Sequence, residues 1–281
     1  MTTNLELALR YLRLKDNPRR LWIDAICINQ SDTLERNHQV KNMKLVYQAA
    51  SAVLAWLGRI TAGSKQGMKV LSYLMDDNQR LEGFTGDVIS KGSRYMSDIF
   101  NRDYWKRIWV IQEIAVAKKA FLHCGPFSAE IPSGGCLERM AQYFQGLDDM
   151  DFTRFRYLSE KQMRELRDRR KRFLFVLKLR EERLYSRVAS LWELVWQFRH
   201  WESRDPRDMV FALLGLVSES DAAENNPDYG LTLKQVKNRL LQSHILRYSD
   251  LSILNYSDEV MNTLVTQPPL NNWEKSDLDN A

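Results

Sequence analysis

Apolar residues recur at helical spacing from the start of the chain: Leu5, Ala8, Leu9 and Leu12 lie three or four positions apart or side by side. Thr3-Asn4-Leu5-Glu6 reads as a capping box ahead of them, and Asp16-Asn17-Pro18 stops the pattern, so an amphipathic helix opens the chain. The spacing then changes. Residues 21–28, LWIDAICI, form an apolar run of strand length between turn formers, with Asp24 as its charged member, the pattern of a strand covered on both faces. Asp32-Thr33-Leu34-Glu35 is a second capping box, and Val40, Met43, Tyr47 and Ala50 give the helix that follows a buried stripe. Residues 52–57 make a second apolar strand ending at Gly58.

Strand, helix, strand in this order is the signature of a parallel sheet with right-handed crossovers, so the first half predicts an open α/β layer structure. Helices are expected over 64–78, 93–100 and 104–117, with a short third strand at 120–124. Everything afterwards reads as mainly helical. Residues 161–187 are dense in Arg, Lys and Glu, with Leu166, Phe173, Leu177 and Leu184 at helical spacing. Acidic residues interleave the basic ones there, which favours a long solvated helix or an inserted arm over contact with nucleic acid. Asp205-Pro206-Arg207-Asp208 then opens a helix with an N-cap, proline at its first position and an acidic first turn, ahead of the apolar MVFALLGLV.

Composition narrows the class. With 281 residues and 44% hydrophobic content, the chain is long enough for one large core, and one domain with a helical extension is the expectation. Eight Trp against only 12 Gly and 7 Pro argue for a folded chain with disorder confined to its ends. Lys plus Arg number 41 against 36 Asp plus Glu, an excess too small, and not concentrated in a tail, to predict a nucleic-acid partner. Cys27, Cys124 and Cys136 are too few and too scattered for a disulfide framework, and no CxxC pair or histidine spacing points to a metal. The N-terminus lacks the apolar stretch of a signal peptide, and no run reaches the ~18 apolar residues of a membrane span, so a soluble, cytoplasmic protein is expected.

Three blocks carry a resemblance. LWIDAICINQSDTLERNHQV with VYQAASAVLAWLG (21–58), RDYWKRIWVIQEIAVAKKAFLHCG (102–125) and RDPRDMVFALLGLVSES (204–220), in this order, resemble the fungal heterokaryon incompatibility (HET) domain. The resemblance implies a module of non-self recognition between fused filamentous fungal cells that triggers programmed death, working by self-association or with other death-pathway proteins. It also implies a domain plan: residues 1–150 as the α/β core, 151–203 as a charged helical insertion, 204–256 as the C-terminal helical part and 257–281 as a disordered tail. The family usually begins with a strand and loop of the type ALSYCWG; here the helix before LWIDA starts almost at Met1, so that first strand is expected to be missing and the remaining sheet to be less stable without it.

The HET family is similar in turn to Toll/interleukin receptor (TIR) domains, which implies a partial flavodoxin-like parallel sheet flanked by helices, followed by a mainly helical C-terminal half. TIR domains serve as interaction surfaces or as NAD-cleaving enzymes, and in the enzymes a helical glutamate a few residues after a tryptophan is catalytic. WVIQEIAVA is similar to that feature: Glu113 follows Trp109 by one helical turn, on the same face. Cleavage of the nicotinamide–ribose bond passes through an oxocarbenium-like state that a carboxylate stabilises, which makes Glu113 the candidate catalytic group and NAD the substrate that the resemblance implies. A bland reading stands beside it, in which Glu113 pairs with Arg107 or Lys106 or lies on a solvated face.

Other candidates have similar pairs of readings. Asp24, inside an apolar run, is either bonded to backbone amides or an arginine, or placed near a ligand at a strand end. Asn29, Gln30 and Asp32 lie in the loop after that run, where open α/β sheets bind ligands and where TIR domains shape assembly and substrate access. Trp105, Ile108 and Trp109 read as core aromatics and aliphatics. Arg207 and Asp208 complement the helix start or join a charge network reaching the sheet. His123 beside Cys124 invites a nucleophile pair but has no third partner in the pattern. His38, His200 and His244 complete a set without metal spacing.

Overall fold

The computed structural model describes residues 2–76, 95–148, 159–182, 189–251 and 253–254. In chain order its elements are α1 (Thr3–Leu12), α2 (Asp24–Cys27), α3 (Thr33–Ala49), β1 (Val53–Trp56), α4 (Ser64–Met75), a 3-10 turn (Asp103–Lys106), α5 (Trp109–Ala115), β2 (Ala120–Cys124), β3 (Phe127–Ile131), α6 (Leu137–Asp148), α7 (Glu160–Glu182), α8 (Leu191–Phe198), α9 (Asp208–Phe211), a 3-10 turn (Leu214–Leu216), α10 (Glu219–Glu224) and α11 (Leu233–Tyr248). A mixed region of sheet and helix is thus followed by a mainly helical C-terminal half. The chain gathers into two compact units, the first from Met1–Cys27, Lys44–Lys106 and Glu113–Arg187, the second from Ile28–Met43, Arg107–Gln112 and Val188–Ala281.

The first unit is built on a three-stranded sheet of order β1-β2-β3. β1 and β2 run parallel, with Val53 beside Ala120 and Trp56 beside His123, and β2 turns back antiparallel onto β3. The hairpin turn requires Gly125, whose φ is +52° and whose missing side chain leaves room for Ile60, which a Cβ there would meet at 2.4 Å. α4 packs on β3 and α6, and α6 on α7. Phe100, Trp105, Phe144 and Phe173 fill the centre with ring centroids 4.9–5.5 Å apart, and the buried Trp105 indole N–H donates to the Ile99 carbonyl at 3.0 Å.

α7 belongs to this core rather than to solvent. Met163, Leu166, Arg170, Phe173, Val176, Leu177 and Arg180 form its buried stripe at helical spacing, and two of these are arginines. The Arg180 guanidinium donates to the carbonyls of Ile114, Ala117, Lys118 and Pro132 at 2.6–3.3 Å. It thereby satisfies carbonyls at the C-terminal end of α5 that the helix itself leaves without donors.

The second unit is helical. α8 packs against α9 and α11, with Leu194, Val195, Phe198, Trp201, Met209, Val210, Phe211, Ala212 and Leu213 buried. α8 and α11 each begin with a closed capping box, Ser190 with Glu193 and Thr232 with Gln235. Gly215 is needed because a Cβ there would lie 2.7 Å from the buried Gln112 side chain.

Several expectations change. Residues 21–28 are not a strand: Ile23 O accepts from the amides of Ile26 and Cys27, the Asp24 carboxylate accepts from Ala25 N, and the result is the short helical turn α2, with only Ile28 of the run buried. A short apolar run carries no period, so strand and helical turn are equally compatible with it. The 104–117 helix is split, because the Ile108 amide leaves the helical ladder to donate to Glu202 O at 2.9 Å. A further strand, β3, appears where mainly helical structure was expected. The first helix is capped by Thr2, whose hydroxyl accepts from Leu5 N, while Glu6 pairs with Arg10. α3 takes its cap from Asp32, but Glu35 reaches back to Asn29 N rather than to Asp32. Residues 205–207 form a turn and the helix begins at Asp208. Residues 77–78, 93–94, 183–187 and the 257–281 tail of the sequence reading lie outside the described residues.

Candidate functional site

α5 carries the candidate catalytic Glu113 and its companion Trp109, and the two are engaged differently. Glu113 is half-buried, and its Oε2 accepts from the Tyr104 hydroxyl at 3.1 Å within the first unit. Lys106, one of the partners weighed for it, pairs with Asp103 at 2.7 Å. Arg107 is exposed and forms an isolated bridge with Glu202. Trp109 points its indole N–H to Asp208 Oδ2 at 3.2 Å within the second unit.

Asp208 is the centre of a dense polar cluster. The Tyr229 hydroxyl donates to its Oδ1 at 2.5 Å, and Arg36 Nη2 approaches that same oxygen at 3.8 Å while bonding Asp205 Oδ2 at 3.2 Å. Arg207 holds both Asp205 oxygens at 2.8–2.9 Å and donates to the carbonyls of Tyr229 and Leu231 at 2.6 and 2.7 Å. The Arg36 guanidinium lies 3.4 Å from the Tyr229 ring centroid. Asn37 accepts from Tyr229 N at 2.7 Å and donates to Asp228 at 3.4 Å.

The electrostatics follow from burial and partners. Burial pushes the Asp208 carboxyl up from 3.8 to about 6, while the Tyr229 and Trp109 hydrogen bonds and the Arg36 charge limit the rise. Burial and the adjacent Asp208 carboxylate raise the Tyr229 phenol, which therefore stays protonated as a donor. For Asp205, burial alone would raise the carboxyl, but the Arg207 hydrogen bonds and the Arg207 and Arg36 charges hold it below its ordinary value.

The remaining candidates lie in simpler surroundings. Asp24 bonds within its own turn. Asn29 accepts from the amide and hydroxyl of Ser31, Gln30 is exposed, and Asp32 caps α3, so this loop is internally tied at its ends. His123 and Cys124 occupy successive positions of β2 and face opposite sides of the sheet, which separates the suspected pair. The buried Cys124 thiol donates to Arg59 O at 3.6 Å.

A second cluster, at the end of β1, escaped sequence reasoning. The Asp98 carboxylate accepts from the Thr61 hydroxyl at 2.5 Å, Ser64 at 2.8 Å and Arg102 at 3.0 Å beside the start of α4. Burial alone would raise this carboxyl too, but those three hydrogen bonds and the Arg102 charge hold it below its ordinary value. A carboxylate already complements the positive end of this helix.

Residues 1–113 match the family model described as "Heterokaryon incompatibility protein (HET)". Over this N-terminal stretch the chain is similar to the HET family. A relative, "Heterokaryon incompatibility protein 6, OR allele" of Neurospora crassa, is 27% identical over 161 residues, covering 44% of this chain and 24% of that protein, so the match spans about a quarter of the relative's length. No solved structure matches the chain. The HET match includes Asp24, Asn29, Gln30, Asp32, Arg36, Trp109 and Glu113, while Asp205, Arg207, Asp208 and Tyr229 lie beyond it. Among the described residues no helix is long and apolar enough to cross a membrane.

Proposed function

We propose that this chain is a HET-family signalling module of fungal non-self recognition, acting in the cytoplasm, whose engagement by its own kind or by other death-pathway proteins triggers programmed cell death. The observation that carries this reading is the HET match over residues 1–113, and the exposed apolar side chains within it support a protein-binding role. On α2, Ala25, Ile26 and Cys27 are all exposed, Ile26 at 58%, and on α3 Leu45 is 61% exposed. A carboxylate introduced at Ile26 costs the fold little, since most of the residue is exposed, but opposes a partner that buries it. The test is inducible expression in a filamentous fungus with counting of dead compartments. Wild-type chain should kill, and Ile26→Asp should kill several-fold less at equal protein level; equal killing by both overturns the docking role of α2.

A second reading is favoured by one contact. Glu113, one turn after Trp109, is half-buried and oriented by the Tyr104 hydroxyl, the kind of support a charge-stabilising carboxylate needs in TIR-type cleavage of the nicotinamide–ribose bond of NAD. On that reading the parallel β1–β2 pair is what remains comparable with a flavodoxin-like sheet, and residues 151–203 are a family-variable insertion between the α/β core of 1–150 and the helical part at 204–256. Loss of NAD from purified chain, absent in Glu113→Ala, distinguishes it from the signalling reading.

A further inference from the structure

We propose that residues 226–231 form a strap over the second unit whose closure is controlled by proton binding at Asp208. The strap joins α10 to α11 and has little backbone bonding of its own: Leu231 N donates to Asp228 O at 3.3 Å, and Gly230 N to the Asp228 side chain at 2.8 Å. Side chains from elsewhere hold it instead. Arg207 binds the Tyr229 and Leu231 carbonyls, Asn37 binds Tyr229 N and Asp228, and Asp208 accepts the Tyr229 hydroxyl. Pro227 and Tyr229 are buried by this arrangement, with the Tyr229 ring set edge-on to Phe211 at 5.1 Å.

The groups facing Asp208 are Arg36 from α3, Asp205 and Arg207 from the turn before α9, and Tyr229 from the strap itself; Trp109 of α5 adds a neutral donor. Lifting the strap removes the Tyr229 donor and admits water to a carboxylate that closure had dried. In water that carboxyl returns to its ordinary range, so the open form binds fewer protons than the closed one wherever closure has raised its affinity. By linkage, acidification favours closure and a rise toward neutral pH favours opening. Between the two limits the closed-to-open ratio changes by up to about 100-fold, the ratio that two pKa units carry. Asp205 is held below its ordinary value and Arg207 above its own, so the step above the ordinary carboxylate range belongs to Asp208.

The experiment uses the whole chain labelled with nitrogen-15 tryptophan, in which the Trp109 indole resonance is identified by its loss in Trp109→Phe. Titrated over about pH 4 to 8, that resonance should shift with a midpoint near 6, well above ordinary aspartates. Amide exchange at Tyr229 and Leu231, corrected for the intrinsic pH effect, should slow as the pH falls through the same midpoint. Asp208→Asn should abolish both changes. Tyr229→Phe, which removes a donor that holds the carboxyl down, should move the indole midpoint upward, and it serves as the test if the asparagine variant does not fold. An indole midpoint in the ordinary carboxylate range overturns the proposal, as does strap exchange that ignores the titration.

Discussion

The Tyr229 hydroxyl donates to Asp208 Oδ1 at 2.5 Å inside a partly buried cluster that also contains Arg36, Asp205 and Arg207. Deleting the phenol oxygen leaves a buried carboxylate with one fewer donor, so Tyr229→Phe should destabilise the second unit by about 1–3 kcal/mol. Urea denaturation measured at neutral pH checks this; an unchanged midpoint would mean the hydroxyl contributes nothing.

Stability should carry two opposing pH slopes. Asp208 has a folded value raised from 3.8 to about 6, so its contribution is fully present below pH 3.8 and lost as pH rises through about 6. The size of that loss is about 3 kcal/mol. Asp98 and Asp205 are held below their ordinary values, so their contributions are present above the ordinary carboxylate range and lost as pH falls through their lowered values. Asp208→Asn should therefore remove the decline between pH 4 and 6 and leave the acid limb in place, as read by denaturation at a series of pH values. A wild-type profile flat across that window contradicts the assignment.

Arg180→Ala should be among the most damaging single changes in the first unit, on the order of 3–5 kcal/mol, because it strips donors from four carbonyls and empties a buried position. Arg180→Lys should recover only part of this, since a compact ammonium cannot span the same fork. A melting temperature equal to wild type in the alanine variant would show that α7 does not anchor α5.

Trp105→Ala removes a fully buried indole from between Phe100 and Phe173 and should cost about 3–5 kcal/mol through the cavity it leaves. Calorimetry should register it as a lower melting temperature. No change would mean that the aromatic cluster is not the centre of the first unit.

How much of this was legible depended on whether the signal was local. The strand at 120–124 could be placed because a short buried segment lies between a helix end and a glycine turn. β3 was missed although its signal was local: Phe127, Ala129 and Ile131 alternate with Ser128 and Glu130 behind the two-residue Gly125-Pro126 turn, the pattern of a hairpin. Residues 21–28 misled because strong hydrophobicity without a period does not choose between strand and turn. α7 was recognisable as a helix, and helical spacing puts Arg170 between Leu166 and Phe173 and Arg180 one turn after Leu177 on the apolar stripe, but their charge argued against burial. The Asp208 cluster was half visible: Trp109, Arg207 and Asp208 drew attention, whereas Arg36 and Tyr229 did not. Arg36 meets Asp205 across 169 residues and Asn37 meets Tyr229 across 192, and no single sequence encodes such pairings locally.

The proposed role is death signalling by binding rather than by catalysis, and cellular NAD measured alongside cell death in the same induced cultures, for wild type and Glu113→Ala at matched folded protein, tests it most directly. The account predicts that both proteins kill and that NAD does not fall ahead of death in either. Killing and early NAD loss that disappear together in Glu113→Ala would contradict it and make Glu113 the catalytic group of a hydrolase.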